Sequence, residues 1–217
     1  MRVLLSVLGL AALVMSASAA ESSRAEHSRV MALQADPQRG QELFRNCHAC
    51  HGTDGAGDIA GSVPRIAGQY RGILVRQILD FKRGKRWDYR MEGVTASHNA
   101  IPEAQDIADV TAYIARLAWS GTRGTGDGQF VERGAAVFAA QCASCHGATG
   151  EGDESENVPR IGGQHAAYLS RQVYDAVDNR RPKLTRSHKR VFDRLVFEDI
   201  RGIADHLSRM GEASSSR

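Results

Sequence analysis

Cys47-His48-Ala49-Cys50-His51 is the stretch on which the fold turns, and Cys142-Ala143-Ser144-Cys145-His146 repeats it at an offset of 95. Both read Cys-x-x-Cys-His, the attachment pattern of c-type haem. The spacing has a chemical reason. Two thiols three positions apart on a helical turn can each add across one vinyl group of the same macrocycle, and the histidine that follows lies beneath it to ligate the iron. Cys-x-x-Cys alone would also suit a redox dithiol or half a zinc site. A zinc ribbon needs its two pairs close together, whereas these lie at 47 and 142, each with a histidine directly after it. The chain has four cysteines and both motifs together use them all. The motifs therefore predict two covalently bound haem c groups, held by Cys47 and Cys50 and by Cys142 and Cys145, with His51 and His146 as iron ligands.

The N-terminus predicts the compartment. Arg2 is a short positive region, Val3 to Met15 is apolar, and Ser16-Ala17-Ser18-Ala19-Ala20 has the small residues of a cleavage site. Residues 1–20 read as a signal peptide, too short in its apolar part to span a bilayer, and the mature chain as periplasmic. With 42% hydrophobic and 24% charged residues over 217, composition is that of an ordinary soluble protein. Formal net charge is +3, but loss of Arg2 and the haem propionates would take the holoprotein below zero. No nucleic-acid partner is expected. The basic runs Lys82–Arg86 and Arg186–Arg194 read as helix ends, propionate partners or docking surface.

Beyond the haem motifs the chain repeats itself. Val63-Pro64-Arg65-Ile66-Ala67-Gly68-Gln69 returns as Val158-Pro159-Arg160-Ile161-Gly162-Gly163-Gln164, Arg76-Gln77 as Arg171-Gln172, and Arg86 as Arg181. Arg39-Gly40 returns as Arg133-Gly134 and Asp106-Ile107 as Asp199-Ile200. The expected layout is a mobile tail over 21–35, one domain over 36–119, a glycine-rich linker over 120–128 and a second domain over 129–210. Asp36-Pro37 is a helix start. Tyr70, Ile73, Leu74, Gln77, Ile78 and Phe81 fall at helical spacing, ended by Gly84, and Leu169, Val173, Ala176 and Val177 match them. Ile107, Val110, Ile114 and Leu117 make a last helix in the first unit, and Ile200, Ile203 and Leu207 one in the second. No strand pattern of useful length is present. His27, His165 and His206 read as surface residues.

Two tandem Cys-x-x-Cys-His units, each with Pro-Arg-Ile-x-Gly-Gln and then Arg-Gln, resemble the cytochrome c4 family of di-haem class I cytochromes; the cytochrome subunit of flavocytochrome c sulfide dehydrogenase is similar. The resemblance implies an all-α fold of two packed class I cytochrome c domains, each wrapped round one haem. It also implies that the carbonyls of Pro64 and Pro159 accept a hydrogen bond from the Nδ1–H of His51 and His146. In that family a methionine between the middle and last helices fills the distal position. Met91 stands there in the first unit, but the second has no methionine in that region and offers His188 instead. Thr95-Ala96-Ser97-His98 echoes Thr185-Arg186-Ser187-His188, so His98 is the alternative to Met91 as the first distal ligand. These features imply an electron carrier rather than an enzyme, taking electrons from a donor dehydrogenase or the respiratory chain to a higher-potential oxidase or cytochrome. The alternative is the electron-accepting subunit of a periplasmic dehydrogenase complex, such as one acting on sulfur compounds. Peripheral contact with the membrane fits either role, and a monomer and a dimer both remain open.

Overall fold

The computed structural model describes residues 24–96, 100–101, 103–119, 122–178, 180–181 and 186–210. The proposed signal peptide and His98 fall outside them. Among the described residues the chain is helical, with a single isolated bridge between Asp153 and Val158. Residues 24–32 form α1. The first domain continues with α2 (Pro37–Phe44), a 3-10 turn (Arg45–Cys47), α3 (His48–His51), α4 (Arg71–Lys82), α5 (Tyr89–Ala96) and α6 (Ala104–Arg116). The second domain runs α7 (Val131–Gln141), α8 (Ala143–His146), α9 (Ala166–Val177), α10 (Arg186–Phe192) and α11 (Phe197–Arg209).

Each domain is closed by one helix crossing, α2 on α6 and α7 on α11. The repeated Arg-Gly pairs explain these crossings. A Cβ at Gly40 would land on the backbone of Asp109, and one at Gly134 on the backbone of Gly202. Only glycine lets the helices approach that closely. The neighbouring arginines then lock them, Arg39 to Asp106 and Asp109, and Arg133 to Asp199 at 2.6 Å. Asp106 and Asp199 also accept the N–H of Glu103 and Val196, so each starts its own helix as it binds the other. At the start of α2 Asp36 accepts the N–H groups of Gln38 and Arg39, as the sequence predicts.

Residues 24–32, expected as part of a mobile tail, are instead the helix α1. Val30 is fully buried in the core cluster that includes Val75 and Leu79 of α4. His27 Nε2–H donates to Gly72 O at 2.9 Å, Arg71 donates to the carbonyls of Val30 and Met31, and Glu26 pairs with Arg83. The physical reason lies in α4, which is apolar on two sides. Leu74, Ile78 and Phe81 point one way, while Val75 and Leu79 need a separate cover. At the matching positions α9 has Ser170 and Tyr174, and no such cover is required.

Residues 122–128 form a packed strap rather than a free tether. Arg65 donates to Thr122 O, Gly124 exchanges hydrogen bonds with the His165–Ala166 pair, and Asp205 accepts the N–H groups of Gly126 and Gly128. His165, expected at the surface, is fully buried. Its Nδ1 accepts from Gly124 N–H at 3.0 Å, which leaves the proton on Nε2, and Nε2–H donates to Ala56 O of the other domain at 2.8 Å.

Candidate haem sites and their setting

The two Cys-x-x-Cys-His motifs fold alike. α3 and α8 are single turns that carry the second cysteine and the histidine of each motif. Each turn is stopped by a glycine of positive φ, Gly52 or Gly147. The chain then folds back, with Gly57 N–H on His51 O at 2.9 Å and Gly152 N–H on His146 O at 2.8 Å. A Cβ at Gly57 would sit 2.5 Å from Pro64 O, and one at Gly152 would sit 2.6 Å from Pro159 O. Both positions have positive φ as well, so glycine is required twice over. The loop thereby brings a proline carbonyl over each histidine: His51 Nδ1 is 3.0 Å from Pro64 O and His146 Nδ1 is 3.2 Å from Pro159 O. A carbonyl only accepts, so in both rings Nδ1 carries the hydrogen and Nε2 is left as the electron-pair donor.

Burial lowers the pKa of His51 and of His146, against a smaller opposing effect of the proline carbonyl. Burial, followed by the Arg181 and Arg76 charges, lowers that of His188. All three rings are thus held neutral, the form that binds metal. Burial beside Cys50 pushes the Cys47 thiol up to about 11, and burial beside Cys145 raises that of Cys142. None of the four cysteines is in a disulfide.

The candidate distal residues sit on short helices rather than in open loops. Asp88 accepts the N–H groups of Arg90 and Met91 and so starts α5, and Thr95 Oγ1–H donates to Met91 O at 2.7 Å. The charges of Asp88 and Arg90 reach His51, so the start of α5 lies near the first motif. In the second domain α10 brings His188 to His146, with ring centroids 6.1 Å apart and planes inclined at 64°. Two imidazoles on opposite sides of one metal need centres about 6 Å apart, from two metal–nitrogen bonds of about 2.0 Å and the ring radii. The thiols, the neutral Nε2 atoms and this spacing fit haem. They do not fit a bare ion: among the described residues no three His, Cys, Asp or Glu side chains converge on one point.

Other repeated residues meet between the domains; of the roles expected for the run ending at Arg86, this contact corresponds to docking surface. Gln164 takes the N–H of Arg65 on Oε1 at 3.0 Å and gives Nε2–H to Arg65 O at 2.8 Å. Gln69 does the same to Arg160, at 3.0 and 2.8 Å. Arg86 donates to Gln77 and Gln172, and Arg181 donates to the same two glutamines. Trp119 lies between the guanidinium groups of Arg65 and Arg160, 5.4 and 5.3 Å from its ring centroid. The constant offset of 95 was the signal for this seam, since paired surfaces in a duplicated chain must diverge together.

A helical pair of domains, each built round Cys-x-x-Cys-His with a carbonyl on the histidine, is the architecture of a class I cytochrome c used twice. A family model for cytochrome c matches residues 37–118 and again 131–209. The chain belongs to the cytochrome c family as a tandem member carrying two covalent haem c groups. Within that family it is close to cytochrome c4. The cytochrome c4 of Pseudomonas aeruginosa is 32% identical over 182 residues, which cover 79% of this chain and 87% of that one. The crystal structure of reduced recombinant cytochrome c4 from Pseudomonas stutzeri superimposes with a TM-score of 0.72 at 27% identity, over 82% of this chain and 100% of that one. A thiosulfate dehydrogenase electron acceptor of Stutzerimonas stutzeri is 26% identical over 216 residues, or 87% of this chain and 94% of that one. The protein is an electron carrier, and redox proteins are its partners.

Proposed function

We propose that His51 and Met91 are the axial ligands at the first haem, that His146 and His188 are those at the second, and that the chain passes electrons in that unequal setting. Bound to these residues, haem supplies a one-electron iron couple. The cysteines fix its orientation and the proline carbonyls hold the histidine rings. With His51 and Met91 holding one haem and His146 and His188 the other, neither site would leave an iron position open to substrate. The Met91 thioether raises the potential at the first site, and the His188 imidazole lowers it at the second by favouring ferric iron. The second domain is then the entry side and the first the exit toward a higher-potential acceptor. The observation that carries this reading is the 6.1 Å separation of the His146 and His188 rings.

The test is low-temperature EPR with near-infrared magnetic circular dichroism on the ferric protein, which assigns each haem by its ligands. His188→Ala is expected to open one haem to cyanide and carbon monoxide, and Met91→Ala the other. Unchanged spectra in His188→Ala would remove His188 from the site. If Met91→Ala leaves the first haem closed while His98→Ala opens it, His98 is the ligand there.

The setting proposed is the periplasm, reached by cleavage after Ala20. The donor we favour is a dehydrogenase acting on sulfur compounds, on the strength of the likeness to the Stutzerimonas stutzeri electron acceptor across nearly all of that protein. A stable complex with such an enzyme on purification makes the chain its subunit. Isolation as a free protein that the enzyme reduces makes it a mobile carrier.

A further inference from the structure

We propose that each iron-binding histidine is controlled by a glutamine of the opposite domain, Gln164 acting on His51 and Gln69 acting on His146. The inference rests on the axial roles of His51 and His146 given above. Pro64 and Arg65 share one peptide unit. Its carbonyl accepts from His51 Nδ1–H at 3.0 Å and its N–H donates to Gln164 Oε1 at 3.0 Å. Pro159 and Arg160 share the corresponding unit, with its carbonyl 3.2 Å from His146 Nδ1 and its N–H on Gln69 Oε1 at 3.0 Å. One planar conjugated group therefore stands between the glutamine of one domain and the iron ligand of the other.

Electrons in a peptide unit are delocalised over O, C and N. A hydrogen bond at the N–H shifts density to the oxygen and makes it a stronger acceptor. A stronger acceptor at Nδ1–H makes the imidazole a better donor at Nε2 and fixes the plane of the ring. The stronger donation favours the oxidised metal. Each glutamine also grips the arginine backbone a second time, through Nε2–H on the carbonyl of the next peptide unit at 2.8 Å, which holds the amide in place against the Pro–Arg unit. Water does not compete for the Arg65–Gln164 pair, since Arg65 is 2% and Gln164 4% exposed. The arrangement is crossed. Gln69 lies in the same loop as Pro64, yet it reaches the peptide of Pro159, and Gln164 makes the opposite exchange. Gln69 and Gln164 are thus positioning residues, and each domain sets the ligand field of its partner.

The experiment uses the full-length holoprotein. Gln164→Leu and Gln69→Leu are compared with the parent by haem-resolved spectroelectrochemistry and by the hyperfine-shifted Nδ1–H resonances of His51 and His146. Gln164→Leu is expected to raise the potential of the haem on Cys47 and Cys50 and to move the His51 resonance, with the other haem nearly unchanged. Gln69→Leu is expected to do the reverse. Gln164→Glu keeps an oxygen on the Arg65 N–H, and is expected to hold the first haem at or below the parent potential even where the seam loosens. Shifts confined to the mutated residue's own domain, equal shifts at both haems, no shift, or a rise in Gln164→Glu would each overturn the proposal. Failure of the axial reading is separate and visible in the parent, as the absence of hyperfine-shifted histidine resonances from either motif.

Discussion

Removing the indole of Trp119 is expected to loosen the docking of the two domains without removing either haem. The magnitude follows from the geometry. Arg65 and Arg160 stack on the ring at 5.4 and 5.3 Å, both inside the range of cation–π attraction. Such a contact contributes about 0.5–1 kcal/mol when exposed and about 2 kcal/mol when desolvated. Arg65 is almost fully buried, so its contact belongs near the upper figure, and the pair together near 2–3 kcal/mol. Burial of part of the indole adds roughly 1 kcal/mol more. A loss of about 3–4 kcal/mol lowers the melting temperature of a chain of this length by about 6–16 °C.

Differential scanning calorimetry of Trp119→Ala reads this directly, with haem content checked by the pyridine haemochrome. A split into two transitions is expected once the domains cease to melt together, because the short strap keeps them at high effective concentration but does not dock them. Trp119→Phe retains an aromatic face and is expected to recover part of the loss. A single transition within about 2 °C of the parent in Trp119→Ala would show that the two arginines do not hold the seam through this ring.

Other perturbations probe different parts of the fold. Val30→Ala is expected to cost about 1–2.5 kcal/mol in the unfolding of the first domain, read by denaturant titration, because the side chain is fully buried between α1 and α4. Gly134→Ala places a methyl group on the Gly202 backbone and is expected to destabilise the second domain by about 1–3 kcal/mol, lowering its haem incorporation while the first haem is retained. His165 gives the seam a pH dependence. Burial lowers its pKa below 6.5; the Arg65 charge lowers it further, while its hydrogen bond to Ala56 O and the Asp58 charge oppose. The unfolded state binds the extra proton first, so the stability it contributes is full above 6.5 and declines as pH falls below that value toward the folded pKa. Scattering or proteolysis of the strap between pH 7 and 5 should follow this loss, and His165→Gln should flatten it.

Much of this architecture was legible in the residues because its determinants are local. The Cys-x-x-Cys-His turns, the Asp36 cap and the apolar stripes of α4, α6 and α11 each depend on neighbours within a few positions. The parts that escaped depend on distant partners. No periodicity marks 24–32 as a helix, because its stability comes from Val75 and Leu79, which lie far along the chain. Glycine content made 120–128 look like a tether, yet Gly126 and Gly128 expose their N–H groups to Asp205. His165 looked like a surface residue because nothing near it in sequence reveals that Ala56 will cover it. The repeat itself was visible, but a repeat states only that two segments are alike. That they meet face to face is a property of the packed pair.

The seam and the distal segments have diverged to different degrees, and the contrast bears on how the protein works. Across the seam the copies remain interchangeable: Gln69 bonds to Arg160 and Gln164 to Arg65, while Arg86 bonds to Gln172 and Arg181 to Gln77. A substitution there would break a bond to the other domain, so each half constrains the other. In the distal segments the copies differ, Met91 on α5 against His188 on α10. Unequal axial donors give unequal potentials. On the axial assignment proposed above, the distal residues rather than the symmetric contact would set the direction of electron flow. Exchanging them, with Met91→His and His188→Met in one chain, is therefore expected to reverse the order of the two potentials while leaving the melting of the docked pair unchanged. If the order persists, the potentials are set by surroundings other than the distal donor, and the division between a symmetric contact and asymmetric ligands does not hold.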